Sequence, residues 1–145
     1  MDDTMATLAA THRITDALSR YCVAVDRIDE ATWWQVWHPD ATAHYEGIFD
    51  GPAPDLMQWI FDTHRTCDAT SHQVTNVLID VEGRSAHSES YVTACIQSGG
   101  NVVVARGRYL DSWSCRAGVW RLDERTYRND VLQIGAASTL GGTGR

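Results

Sequence analysis

Thr70-Ser71-His72-Gln73-Val74-Thr75-Asn76-Val77-Leu78-Ile79-Asp80-Val81 is where the chain changes period. Upstream, apolar residues recur every three or four positions; from Ser71 onward they follow strand patterns. Ser71–Val81 reads as a strand closed by the turn Glu82-Gly83-Arg84. Ala86–Gln97, Val102–Cys115 and Val119–Ile134 follow as three more, joined through Ser98-Gly99-Gly100-Asn101 and Arg116-Ala117-Gly118. Long strands joined by short turns describe one strongly curved antiparallel sheet.

The upstream half supplies what covers that sheet. Ile14, Leu18, Tyr21, Cys22 and Val25 mark the apolar stripe of a helix from about Ala6 to Asp26. Asp29 reads as the N-cap of a short helix, Glu30 to Trp37, stopped by Pro39. A strand over Ala41–Ile48 and a turn at Asp50-Gly51-Pro52 precede a third helix, which runs from Pro54 to about Cys67. Leu56, Ile60 and Thr63 mark its inner face, with Trp59 beside them. Helices gathered on one face of an antiparallel sheet make an α+β fold. A curved sheet closed by helices leaves a conical hollow, suited to a small molecule. The expected organisation is a single domain over residues 1–134, with the glycine-rich 135–145 as a flexible tail.

Composition excludes several functions. A net charge of -7 argues against nucleic acid, because neutralising phosphates takes a basic excess. All 12 cationic side chains are arginine, so no lysine is present to form a Schiff base. No apolar run reaches the ~20 residues that span a bilayer, and Met1-Asp2-Asp3 lacks a signal peptide's basic start. Cys22, Cys67, Cys95 and Cys115 are widely spaced, which favours free thiols in a cytoplasmic setting over a disulfide framework. Metal-ligand spacings, a Walker loop and a dinucleotide fingerprint are absent, so neither metal nor cofactor is expected.

His72 stands at the mouth of the deciding strand, and Asp26 ends the first helix at the edge of its apolar stripe. A carboxylate at a helix C-terminus opposes the macrodipole, which makes Asp26 a locally unfavourable choice. A salt bridge to Arg27 accounts for it; so does a partner for His72. An imidazole acting as a base at neutral pH needs a fixed tautomer, which a carboxylate on its far nitrogen provides. Tyr45 and His44 occupy neighbouring strand positions, so only one faces inward, and Tyr45 is the candidate donor to a ligand. Asn76 shares strand parity with His72 and is a second candidate. Trp37 and Trp59 are candidates for aromatic walls. His12 and His64 read as helix-surface residues.

The chain resembles the SnoaL-like branch of the nuclear-transport-factor-2-like superfamily of cone-shaped α+β barrels. The resemblance rests on Tyr21-Cys22-Val23-Ala24-Val25-Asp26 followed by Trp33 and Trp37, on Pro39-Asp40-Ala41 and on Asp50-Gly51-Pro52. Ser71-His72-Gln73-Val74-Thr75-Asn76 and Ala117-Gly118-Val119-Trp120-Arg121-Leu122 complete it. Within the superfamily the chain is most similar to lyases with an Asp–His pair: scytalone dehydratase, hexachlorocyclohexane dehydrochlorinase and bile-acid 7α-dehydratase. That resemblance implies catalytic roles for Asp26, His72, Tyr21 and Arg125, and leaves only His87 to stand for a second catalytic histidine on the next strand. Arg125 lies on the opposite side from Trp120 and Leu122 by parity. A β-bulge between Leu122 and Arg125 would turn it inward; without one, Arg128 takes its place.

The expected function is a cofactor-independent lyase, a dehydratase acting on a hydrophobic cyclic or polycyclic compound. An isomerase or polyketide-type cyclase would use the same base, and a non-catalytic ligand-binding module would use the same hollow. Val103, Ala105, Tyr109 and Trp113 alternate with Val104, Arg106, Arg108 and Ser112, so both sheet faces carry apolar area. That pattern predicts a homo-oligomer, and the resemblance favours a trimer over a dimer.

Overall fold

The stripe Ile14, Leu18, Tyr21 and Val25 is the buried face of α1 (Asp3–Arg27) in the computed structural model, which describes residues 3–138. α1 runs without unwinding through Asp26, so Tyr21 and Asp26 do not share a face; Val25, four residues on, shares that of Tyr21. α2 (Glu30–Val36) starts at Asp29, whose carboxylate accepts from Thr32 N at 3.1 Å and from the Thr32 hydroxyl at 2.6 Å. β1 (Trp37–Tyr45) follows directly. Where a turn is expected at Asp50-Gly51-Pro52 the chain instead makes a short strand, β2 (Phe49–Pro52), antiparallel to β1. Gly51, at φ 158°, takes a backbone conformation that residues with side chains rarely adopt. α3 (Ala53–Arg65) buries Leu56, Ile60 and Phe61.

The meander comprises β3 (Ala69–Glu82), β4 (Ser85–Ser98), β5 (Asn101–Arg116) and β6 (Val119–Ala136). The six strands take the order β2-β1-β6-β5-β4-β3, antiparallel except where β1 runs parallel to β6. Of the tail expected at 135–145, Gly135 and Ala136 are strand, and Ala137 N donates to Gly100 O at 2.9 Å. Residues 139–145 lie outside the described ones.

Three irregularities aim the side chains. On β3, Asn76 and Val77 sit in a register break between Thr75 and Leu78, with Asn76 at φ 52°. Asparagine tolerates that left-handed conformation better than most residues. On β6, Asp123 is the extra residue between Leu122 and Glu124, and Asp130 is the extra residue between Asn129 and Val131. The Asp123 bulge switches parity, so Leu122 and Arg125 are both fully buried and Tyr127 nearly so. The hollow itself follows from small residues. His72 pairs with Ala94, and Ala94 with Ala105, so that level of the sheet leaves room above it.

Candidate active site

The end of α1 and the start of β3 build the polar corner. His72 Nδ1 donates to Asp26 Oδ1 at 2.7 Å, and the His72 backbone N–H donates to Asp26 Oδ2 at 2.8 Å. The Thr70 hydroxyl donates to the same Oδ1 at 2.9 Å. Burial works against the Asp26 charge, but the hydrogen bonds from His72 prevail and hold its carboxyl below the ordinary range. Asp26 is therefore the acceptor, which places the imidazole proton on Nδ1 and leaves Nε2 as the basic nitrogen.

His72 lines a cavity of about 140 Å³. Its apolar wall comes from Val25, Ile60, Val92, Ala94, Ile96 and Ala105, with Ile48 and Trp59 at the rim. Tyr21, Tyr45, Tyr109 and Tyr127 supply the phenols. The hydroxyls of Tyr21 and Tyr45 are 2.8 Å apart, and burial raises the pKa of both well above that of free tyrosine. Both are neutral donors at physiological pH. An imidazole with its Nε2 free to accept and a pair of phenols, set in apolar walls, can remove a proton and stabilise the negative charge this creates.

Arg125 is inward but not in the cavity wall. Its Nε and Nη2 donate to the two Asp111 oxygens at 2.7 and 2.8 Å, and both side chains are fully buried. Its guanidinium carbon lies 3.7 Å from the Tyr109 ring centroid and 4.3 Å from that of Tyr21. The cation thus sits behind the phenols, with Nη1 unpaired among the described residues. Arg125, expected to meet a ligand, stands instead behind Tyr21 and Tyr109, which line the cavity.

Two further expectations are corrected. Trp37 is fully buried and stacked on Trp33 at 5.1 Å, a core residue behind Tyr21 rather than a cavity wall. Asn76 falls in the β3 bulge and is exposed, because the register break takes it off the parity of His72. His87 and Arg128 are exposed as well; His87 is on the sheet face opposite to Ala86, Ser88 and Val92. Tyr45 and Trp59 do line the cavity, and His44 turns outward to Asp50, 2.6 Å away.

The residue that sequence reading put on the surface and the fold puts in the site is His64. Its ring centroid lies 5.4 Å from that of His72, and its Nδ1 donates to Val25 O at 2.9 Å. Its place four residues after Ile60, on the apolar face of α3, is the signal that identifies it. Asp111 carries a similar signal, an acid on the strand parity of Tyr109 and Trp113. Among the described residues no group of three or more His, Cys, Asp and Glu side chains is placed to hold a metal ion.

Among the described residues, a curved six-stranded sheet closed by three helices over a hollow makes the cone fold of the nuclear-transport-factor-2-like superfamily. The chain belongs to the SnoaL-like domain family, whose model matches residues 6–126. Comparison with curated proteins gives no match. Among solved structures, a type 2 hexachlorocyclohexane dehydrochlorinase superposes with a TM-score of 0.85 at 20% identity, covering 98% of this chain and 99% of its own. A scytalone dehydratase-like protein from Novosphingobium aromaticivorans gives 0.80 at 22%, covering 99% and 100%. A superfamily protein from Salmonella enterica gives 0.75 at 19%, covering 96% and 99%. At these identities the likeness is one of fold.

Proposed function

We propose that this protein is a cofactor-independent lyase that removes water from a hydrophobic cyclic small molecule. The observation that carries the reading is the Asp26–His72 pair, 2.7 Å apart, in the wall of an apolar cavity. His72 Nε2 takes the proton from a carbon beside a carbonyl, and the C–H electron pair moves toward the carbonyl oxygen. The Tyr21–Tyr45 pair, one hydroxyl donating to the other and the second donating to that oxygen, stabilises the charge as it grows, with the Arg125 cation behind Tyr21 favouring the electron-rich phenol. The neighbouring C–O bond then breaks, the carbon–carbon double bond forms, and His72 returns its proton to the departing hydroxide. Water leaves and the enzyme is unchanged. A base so placed accounts for about 10²–10⁴ in rate.

The test is incubation with a panel of cyclic β-hydroxy ketones, read by mass spectrometry. Products lighter by one water, formed by the wild type and not by His72→Ala, support the lyase. Products of unchanged mass would make it an isomerase or cyclase, and binding without turnover a ligand-binding module. Two further parts of the reading are its setting and its assembly. Four free cysteines suit the reducing cytoplasm. Exposed Leu78, Leu132 and Ile134 suit a homo-oligomer, with a trimer preferred to a dimer.

A further inference from the structure

His64 takes no part in the reaction just described, yet it lies beside His72 in the same cavity. Consecutive residues at the end of α1 orient the two rings. The Val25 carbonyl, among the last four of the helix and so without a helical donor, accepts from His64 Nδ1; the Asp26 carboxylate accepts from His72 Nδ1. A carbonyl oxygen cannot donate, so the His64 proton is fixed on Nδ1. Burial lowers the His64 pKa below its usual value, which keeps the ring neutral and Nε2 a bare lone pair. Neither Nε2 has a hydrogen-bond partner among the described residues.

A single base suffices for the elimination, so a second bare acceptor is matched to a donor on the ligand. The leaving hydroxyl is such a donor. Its oxygen has to receive a proton from His72, so its own hydrogen must point elsewhere, and the aliphatic side chains of the wall, Val25, Ile60, Val92 and Ala94, offer it no acceptor. We propose that His64 Nε2 accepts the hydrogen of the substrate's leaving hydroxyl, turning that oxygen's lone pairs toward His72. The inference rests on the lyase reading and deepens it, because it fixes the leaving group as hydroxyl. A chlorine or carbonyl oxygen in that seat has no hydrogen, and its lone pairs would face that of Nε2.

The seat is tested by binding, separately from turnover. Calorimetric titration of β-naphthol and β-chloronaphthalene compares the same skeleton with and without the donor. The wild type should prefer β-naphthol. His64→Leu should weaken β-naphthol by about 5–10-fold and leave β-chloronaphthalene unchanged or tighter. His64→Gln, whose amide can donate to Val25 O and present its own oxygen, should restore the preference. With no variant needed, the nitrogen NMR signal of His64 Nε2 should shift with β-naphthol and stay fixed with β-chloronaphthalene. The proposal is overturned if the wild type shows no preference or binds neither probe. It is also overturned if His72→Leu removes the preference while His64→Leu keeps it. Absence of elimination with the preference intact would retire the lyase reading and leave this seat in place.

Discussion

At the imidazole of His72 the two oxygens of one carboxylate do separate things: Oδ1 fixes the tautomer, and Oδ2 holds the backbone from which the ring hangs. The two members of the pair should therefore respond differently to substitution. His72→Ala should abolish turnover to within detection. Asp26→Asn should lower it by about 10²–10⁴-fold, because its amide can donate where the imidazole needs an acceptor. The double variant should be little worse than His72→Ala in single-turnover assays. Arg125 sits at the opposite extreme, fully buried and held by Asp111. Arg125→Met should cost about 3–5 kcal/mol in urea denaturation, since it strands a buried carboxylate. Adding Asp111→Leu should recover most of that loss. Much of this site was legible beforehand. Asp26 and His72 are visible as an unfavourable helix end and a strand-mouth histidine, whereas the Arg125–Asp111 pair needs a cross-strand register that no local pattern encodes.

β6 is the element that decides which residues meet the cavity. Its Asp123 bulge turns Arg125 and Tyr127 inward, and its Asp130 bulge brings the backbone of Arg128 against β5. Gly107 is the residue of β5 that accommodates this approach: a Cβ there would lie 2.1 Å from Arg128 O and 2.7 Å from the Tyr127 ring. Gly107→Ala should destabilise the fold by about 1–3 kcal/mol, read from the denaturation midpoint. Gly135→Ala, with nothing within 4 Å of its Cβ, is the matched control and should stay close to wild type. The strands themselves follow from periodicity and turn glycines, and their ends fall within a few residues of those read from the sequence. The bulges were less accessible. An extra residue is defined by two strands together, so parity alone puts Asn76 in the site and Arg125 outside it.

At the scale of the whole molecule, β6 extends beyond the cover of the helices, and from Arg128 to Ala136 every residue is exposed. Leu132 and Ile134, 56% and 69% accessible, give that extension apolar area for a second copy to cover. Light scattering at micromolar concentration should find an assembly, and Leu132→Asp should dissociate it without loss of helical signal. A monodisperse 16.1 kDa species in the wild type would rule that assembly out. The strand order has another consequence, in time. β1, made early in the chain, pairs in parallel with β6, made last, and that ladder sets Tyr45 opposite Tyr127. Helices α1 and α3 and the hairpin β3–β4 can form from near neighbours, but the cavity is not closed until some eighty residues of intervening chain have been looped back. Folding should accordingly be limited by this one long-range closure, on the millisecond-to-second scale of topologies rich in distant contacts. On the ribosome, the chain can hold His72 against Asp26 well before it has a pocket for them to serve.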